Sequence, residues 1–309
     1  MPSIVQFIHP GGEHAPDNAV KNYKSWNHRE HKRKFLNSEG LFLTKGISSP
    51  RKGNLVFWGE WEPPTDVIGP LFKPNRLYPS WLHSRILPVI VPQNFGGLQN
   101  TDPFVFDGPF RYFICHQSNK NMNPTALANL KNGSLILFGS YCKENDKGFF
   151  QLDTVFVVGA SVQYDVSNNN MGLFLNHASQ DYYNISYLRA IPNVHCYPLN
   201  LRLYEGATYS SKVNEMYSFV PSKIKENIRQ GFPRVKIKSD YFVTEFQQHM
   251  NNHHEIEFDD NENFINNNLN INYKETQDVD IQIIERVWKK IIEISRSEPN
   301  GCVEGVEFH

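Results

Sequence analysis

Residues 53–61 read GNLVFWGEW and residues 133–141 read GSLILFGSY, so one chain builds the element G-[NS]-L-[VI]-[FL]-[WF]-G-[ES]-[WY] twice. An apolar run rich in branched and aromatic residues, opened and interrupted by glycine, reads as a strand that bends. Alternate residues of a strand share a face, so Leu55 and Phe57 go one way and Val56 and Trp58 the other. Gly59 and Gly139 have no side chain to pack. A bulge there would re-aim the next side chains, Glu60 and Trp61 in the first copy, Ser140 and Tyr141 in the second. Two arrangements satisfy this pattern. The strands turn barrel corners and their aromatics fill the core, or Trp58, Trp61, Phe138 and Tyr141 line a pocket with Glu60 or Glu62 as its polar determinant.

The second copy runs on as KENDKGFFQLDTVFVVGASV, a polar turn and a valine-rich return strand. With that return, residues 131–160 resemble the PUA-like barrels of the ASCH and EVE type. Ser134 stands where that strand commonly carries an acidic residue. The resemblance implies a barrel that binds RNA or DNA and holds an unusual base in an aromatic pocket.

Around these strands the chain alternates apolar runs with Pro- and Gly-rich loops: SIVQFI, RILPVIV, FRYFICH, LRLYEGATY and RVKIKSDYFV. A helix is predicted over 18–38, capped by Asp17 or Asn18 and stopped by Gly40. Residues 251–277 are rich in Asn, Asp and Glu, and read as a polar linker or loop. An amphipathic helix over 278–297 sets Ile284, Val287, Trp288, Ile291 and Ile294 near helical spacing, with Asp278 and Asp280 at its positive end. The expected fold is α+β and β-rich, with a barrel-like or strongly bent mixed sheet, peripheral helices and a C-terminal docking helix. One domain is expected over 1–250, with the helix of 278–297 docked on it.

At 309 residues and 39% hydrophobic content the chain can bury a large core. No apolar run is long enough to span a membrane, and MPSIVQFIHPGG lacks the basic and apolar regions of a signal peptide. Cys115, Cys142, Cys196 and Cys302 form no C-x-x-C pair, so reduced thiols and a cytoplasmic location are expected. A net charge of −1 leaves no bulk attraction for nucleic acid, so any such contact needs a local basic face.

The candidate chemistry lies in a few places. His9, His14, His28 and His31, beside Glu13 and Glu30, offer ligands for a divalent metal, although their spacing is not H-E-x-x-H. In the run HREHKRK, Arg29, Lys32 and Arg33 share a helical face with Trp26 one turn earlier, which suits phosphates beside a stacked base. Backbone amides near PGGEH would add to that anion site. Asp153 lies in the apolar strand LDTVFVV, where an unpaired carboxylate is costly, so it must be paired, near a strand end, or functional. Arg111 is one partner in reach of the pattern. Glu60, Glu62 and Asp153 are the carboxylates offered for catalysis. If FICH is a strand, Cys115 and His116 face apart and form no nucleophile–base pair. No G-x-G-x-x-G or Walker motif specifies a cofactor. The expected function is recognition of a nucleotide or nucleic acid, such as a modified base in DNA or RNA, through an aromatic pocket and a basic helix. Two alternatives stay open: an enzyme that cleaves or transfers at a nucleotide (nuclease, glycosidase, or NAD or nucleotide transferase), and a structural or interaction protein whose aromatics are all core.

Overall fold

The valine- and aromatic-rich runs form strands that assemble into two sheets in a computed structural model. It describes residues 2–9, 11–16, 32–91, 101–106, 108–118, 121–144, 147–166, 170–189, 191, 200–227, 230–238, 273–276 and 279–309. In chain order the strands are β1 (Ile4–Ile8), β2 (Arg33–Leu43), β3 (Arg51–Glu60), β4 (Thr65–Pro70), β5 (Trp81–Arg85) and β6 (Arg111–Tyr112). Next come β7 (Leu135–Glu144), β8 (Lys147–Asp165), β9 (Asn200–Gly206), β10 (Val220–Ile224), β11 (Val235–Lys238), β12 (Tyr273–Thr276) and β13 (Val303–Phe308).

One sheet closes on itself. β3 pairs with β2 and β10, and β13 pairs antiparallel with both β10 and β2, giving a small four-strand barrel. β5 extends it from β2, and β4 from β5. The alternation expected at the first repeat holds: Leu55 and Phe57 join one core, Val56 and Trp58 the other. Phe308 meets Phe57 at 4.3 Å between ring centroids, so the closing strand also fills the first core. Closure needs bare backbone at Gly40, where a Cβ would sit 2.3 Å from the Glu307 carbonyl oxygen.

The basic run therefore does not stay helical to residue 38. From Arg33 onward it is β2, and Gly40 is a strand crossing rather than a helix stop. Tertiary pairing with β3, β5 and β13 outweighs the helix-forming composition of the run. The remainder of the expected helix, residues 18–31, lies outside the described residues.

The other sheet runs β12-β1-β7-β8-β9-β6, with β11 also on β8. Residues 131–160, which carry the PUA-like resemblance, form its β7–β8 hairpin and not the closed barrel. At the second repeat the ladder slips: Phe138 faces Thr154, yet Gly139 faces Leu152. Asp153 is the extra residue. Phe150 and Leu152, then Val155 and Val157, face the same core, so the two-residue period skips once at this point. A Cβ at Gly139 would lie 2.2 Å from the Gln151 carbonyl oxygen, so the slip requires glycine. Gly59 shows no slip, and the β2–β3 register is unbroken.

Short helices α1 (Met171–Leu175) and α2 (Gln180–Tyr182), the latter running into a π-helical turn over Tyr183–Leu188, add aromatics to the first core. The docking helix is α3 (Ile281–Arg296), capped by the Asp280 side chain. It buries Ile283, Ile284, Val287, Trp288, Ile291 and Ile292 in the second core. Its Trp288 Nε1 donates to the Tyr217 carbonyl at 3.0 Å. Arg296 then forks onto Glu304 of β13, with contacts of 2.6 and 2.5 Å. Of the expected 251–277 linker, residues 251–272 and 277 lie outside the described residues. Tyr273–Thr276 is strand β12 on β1, so the polar stretch ends inside the sheet. No helix among the described residues is long and apolar enough to cross a membrane.

Candidate functional site

The β8 bulge lifts Asp153 toward the barrel, and the first residue of β2 meets it. Arg33 Nε donates to Asp153 Oδ2 at 2.6 Å, and Arg33 Nη1 donates to Glu60 Oε2 at 2.7 Å. Glu60 is the direct cross-strand neighbour of Arg33, so this guanidinium ties its own barrel to the second sheet. Beyond β1, His9 bonds its backbone N–H to the Gly139 carbonyl at 2.8 Å, which aims the ring at Glu60. The His9 Nδ1 to Glu60 Oε2 distance is 2.5 Å. On the far side Arg234 reaches Ser140 Oγ at 2.8 Å, Asp153 Oδ2 at 3.5 Å and the Gly11 carbonyl at 2.7 Å. Its guanidinium lies 5.5 Å from the centre of the Trp58 ring. The residues after the two repeat glycines, Glu60 and Ser140, thus end in one buried chain: His9, Glu60, Arg33, Asp153, Arg234, Ser140.

Burial disfavours the Arg33 charge, but Glu60 and Asp153 outweigh it and its pKa is raised. Arg234 is lowered, by burial first and by repulsion from Arg33. Two cations and two carboxylates offset one another here. Such a group gains little over well-packed apolar side chains, while loss of one member is costly.

The Gly11–Gly12 turn is fixed on this chain. Arg33 N donates to the Gly12 carbonyl at 2.9 Å, and His14 N to the Arg33 carbonyl at 2.8 Å. Glu13 Oε1 accepts from the backbone of Ser80 and Trp81 at 2.6 and 3.1 Å. A Cβ on Gly12 would lie 3.0 Å from Lys32 Nζ, so the ammonium stands over the turn.

A second histidine approaches His9. The FICH segment is a turn and not the expected strand, because Asp102 gathers its amides: Ile114 N and Cys115 N donate to Oδ2 at 2.8 and 3.0 Å. Tyr182 OH donates to the other oxygen at 2.7 Å. This turn holds His116 at φ 58°, which side chains rarely adopt. Its ring centroid lies 6.4 Å from that of His9, and Phe7 packs on both at 4.5 and 5.4 Å. Asp102 is fully buried and organises this turn.

Several sequence candidates are corrected. Trp61 is fully buried between Phe104 and Phe106, and Phe138 is buried among Phe7, Tyr112 and Phe156. Trp58 is buried too, donating from Nε1 to the Phe232 carbonyl. They are core because both faces of the bent strands meet packed layers. Trp58 touches the charged chain through Arg234. Tyr141 pairs with Phe150 through its backbone, and its side chain lies outside the described residues. Arg33 is an interior cation and not a surface phosphate ligand, and Lys32 is half-buried at the turn. Asp153 takes Arg33 and Arg234 as partners. Arg111 instead contacts Glu205 at 3.5 Å and donates to the His177 carbonyl. Of the four histidines offered for a metal, His9 goes to Glu60 and the His14 ring packs 5.9 Å from His83. No group of three metal-ligating side chains occurs among the described residues. Trp26, His28, Arg29 and His31 lie outside them.

Glu62 belongs to a separate buried group with Lys34 and His83. Lys34 Nζ donates to the Pro63 carbonyl at 2.8 Å, and the His83 Nδ1 to Thr65 Oγ1 distance is 3.0 Å. Burial, opposed by Glu62, lowers Lys34 from 10.5 to about 7. Burial, helped by Lys34 and His14, lowers His83 from 6.5 to about 3. The unfolded chain binds these protons more readily than the folded one. Stability is therefore expected to rise with pH between about 7 and 10.5 through Lys34, and to fall as pH drops from 6.5 towards about 3 through His83. Each effect is on the order of 5 kcal/mol across its window. Urea denaturation across pH checks this: Lys34→Met should flatten the alkaline rise and His83→Gln the acid fall. Slopes unchanged in both variants would refute the assignment.

Comparison with protein-family models, with curated proteins and with solved structures finds no match to this chain.

Proposed function

We propose that the protein recognises a nucleotide-containing ligand, such as a modified base in DNA or RNA, at the His9 end of the buried charged chain. The observation that carries this reading is the chain itself, His9 to Ser140, drawn from the residue after β1, from β2, β3, β7 and β8, and from the residue before β11. Apolar side chains would hold the two sheets together as well. What the charges add is fixed geometry, in one imidazole and one Gly-Gly turn. At that turn Lys32 offers an ammonium to a phosphate, and the imidazole offers a donor or acceptor to a base or sugar edge. In the sequence, Trp26 and Arg29 precede Lys32 and Arg33. The closed four-strand barrel is compatible with a PUA-like barrel. In this reading Trp61 and Phe138 are no longer the base-stacking residues, since both are core.

Calorimetry and gel-shift against free nucleotides and against RNA and DNA, with and without modified bases, test the proposal. At least one of these ligands should bind, and Lys32→Gln should weaken binding and reduce the salt slope by about one phosphate contact. Absence of binding to every ligand, or an unchanged salt slope in Lys32→Gln, counts against it.

An enzyme acting at a nucleotide is the second reading. It is favoured by the short contact between His9 and Glu60, the usual way of fixing an imidazole for proton transfer.

A further inference from the structure

We propose that the loop between β4 and β5, residues 71–80, is a second contact point for the ligand, where Phe72 stacks on an unpaired base and Lys73 meets the phosphate beside it. The proposal rests on the ligand being a nucleic acid, and it fixes the class as single-stranded. The loop reads LFKPNRLYPS, and residues 67–80 hold no Asp or Glu. In a chain of net charge −1 this is a local basic stretch, the kind of face an anionic partner requires. Phe72 is 71% exposed, and no other Phe, Tyr or Trp ring among the described side chains is exposed. Lys73 and Arg76 are exposed beside it.

The loop is held at its neck and presented at its tip. Leu71 N donates to the Ser80 carbonyl at 2.9 Å, which closes the neck. Glu13 Oε1 accepts from Ser80 N and Trp81 N, and Glu13 follows Gly12, over which the Lys32 ammonium stands. The neck is thereby tied to the turn proposed for a phosphate. On another side the Gly231 turn, at φ 69°, abuts Pro79: a Cβ on Gly231 would lie 2.4 Å from Pro79 Cγ. At the tip Asn75 turns the chain, accepting from Leu77 N through Oδ1 at 2.9 Å and from Tyr78 N through its carbonyl at 3.1 Å. A braced loop loses little freedom on binding. A single strand running from the turn to the loop presents bases and phosphates in alternation, and a ring next to a cation matches one such step. A duplex stacks its bases on one another and offers this ring no free face. An anionic membrane would also attract a basic loop, but Leu71 and Leu77 are half-buried, and of the loop's large apolar side chains only Phe72 is exposed for insertion.

Fluorescence anisotropy of the full chain tests this with a labelled single-stranded RNA of mixed sequence, the same RNA annealed to its complement, and anionic vesicles of phosphatidylserine and phosphatidylcholine. The single strand should bind more tightly than the duplex. Phe72→Ala should weaken that binding by about 5- to 150-fold at an unchanged melting temperature, and Phe72→Trp should retain it. Lys73→Gln should lower the slope of log affinity against log salt by about 0.7. Equal binding of the duplex, or full binding in Phe72→Ala, overturns this inference and leaves the recognition reading standing. Binding of free nucleotides without binding of the RNA does the same. Vesicle binding that Phe72→Ala abolishes, with RNA binding intact, makes the loop a membrane contact and also overturns the inference. No binding to any nucleotide or nucleic acid overturns both.

Discussion

Deleting residues 279–309 is expected to leave no folded protein. The deletion removes α3 and β13 together, and β13 supplies two of the barrel's seams, to β10 and to β2. Without it, both strands present a row of unpaired backbone groups. Phe308 and Val306 leave the two cores, and so do Ile283, Ile284, Val287, Trp288, Ile291 and Ile292. Each such residue contributes about 1.5–3 kcal/mol by burial, and together they rival the whole stability of a typical domain, about 5–15 kcal/mol. Circular dichroism, solubility and size-exclusion chromatography of residues 1–278 check this. A soluble monomer with an unchanged melting temperature would show that the barrel does not need its fourth strand.

Arg33→Ala should be the most damaging point substitution in the site. It leaves Glu60 and Asp153 buried without the guanidinium that bridges them, with His9 beside the first and Arg234 at 3.5 Å from the second. Breaking a buried ion group in this way costs about 3–5 kcal/mol, measurable as a lowered urea midpoint or as failure to fold. Arg33→Met and Arg234→Met combined with Glu60→Leu and Asp153→Leu should recover much of that loss, because apolar packing replaces both cations and both carboxylates at once. The quadruple variant should nevertheless lose ligand binding. A loss under about 1 kcal/mol in Arg33→Ala would place the group among weak, surface-like pairs.

Local pattern was legible in the sequence, and distant partnership was not. The alternation at Leu55–Trp58, the strand at Ile4–Ile8 and the apolar stripe of α3 come from two- and four-residue spacings that neighbours alone determine. The need for Asp153 to find a partner was also legible, from the cost of its charge in an apolar run. The partner was not. Arg33 lies 120 residues away from Asp153 and 27 from Glu60, inside a run whose composition is that of a solvated face. Which glycine carries the bulge could not be read from the repeat, because the extra residue belongs to the opposite strand, β8. The turn that sets His116 is equally hidden, since it depends on Asp102 collecting amides eleven to thirteen positions on. The closing strand, CVEGVEFH, is too short and too glycine-broken to announce a barrel.

That closing strand has a kinetic consequence. Phe308 pairs with Gly40, so the seam joins parts of the chain made far apart in time. A growing chain emerges at about 5–20 residues per second. While it does so, β2 and β3 can zip together early, but the ring stays open until synthesis has passed residue 308. Pairings of such long sequence separation form slowly. During that interval the free edge of β2 and the apolar surface that α3 will cover are both open to other chains. A nascent chain of this protein should therefore depend on a chaperone, or on dilution, more than its finished stability would suggest.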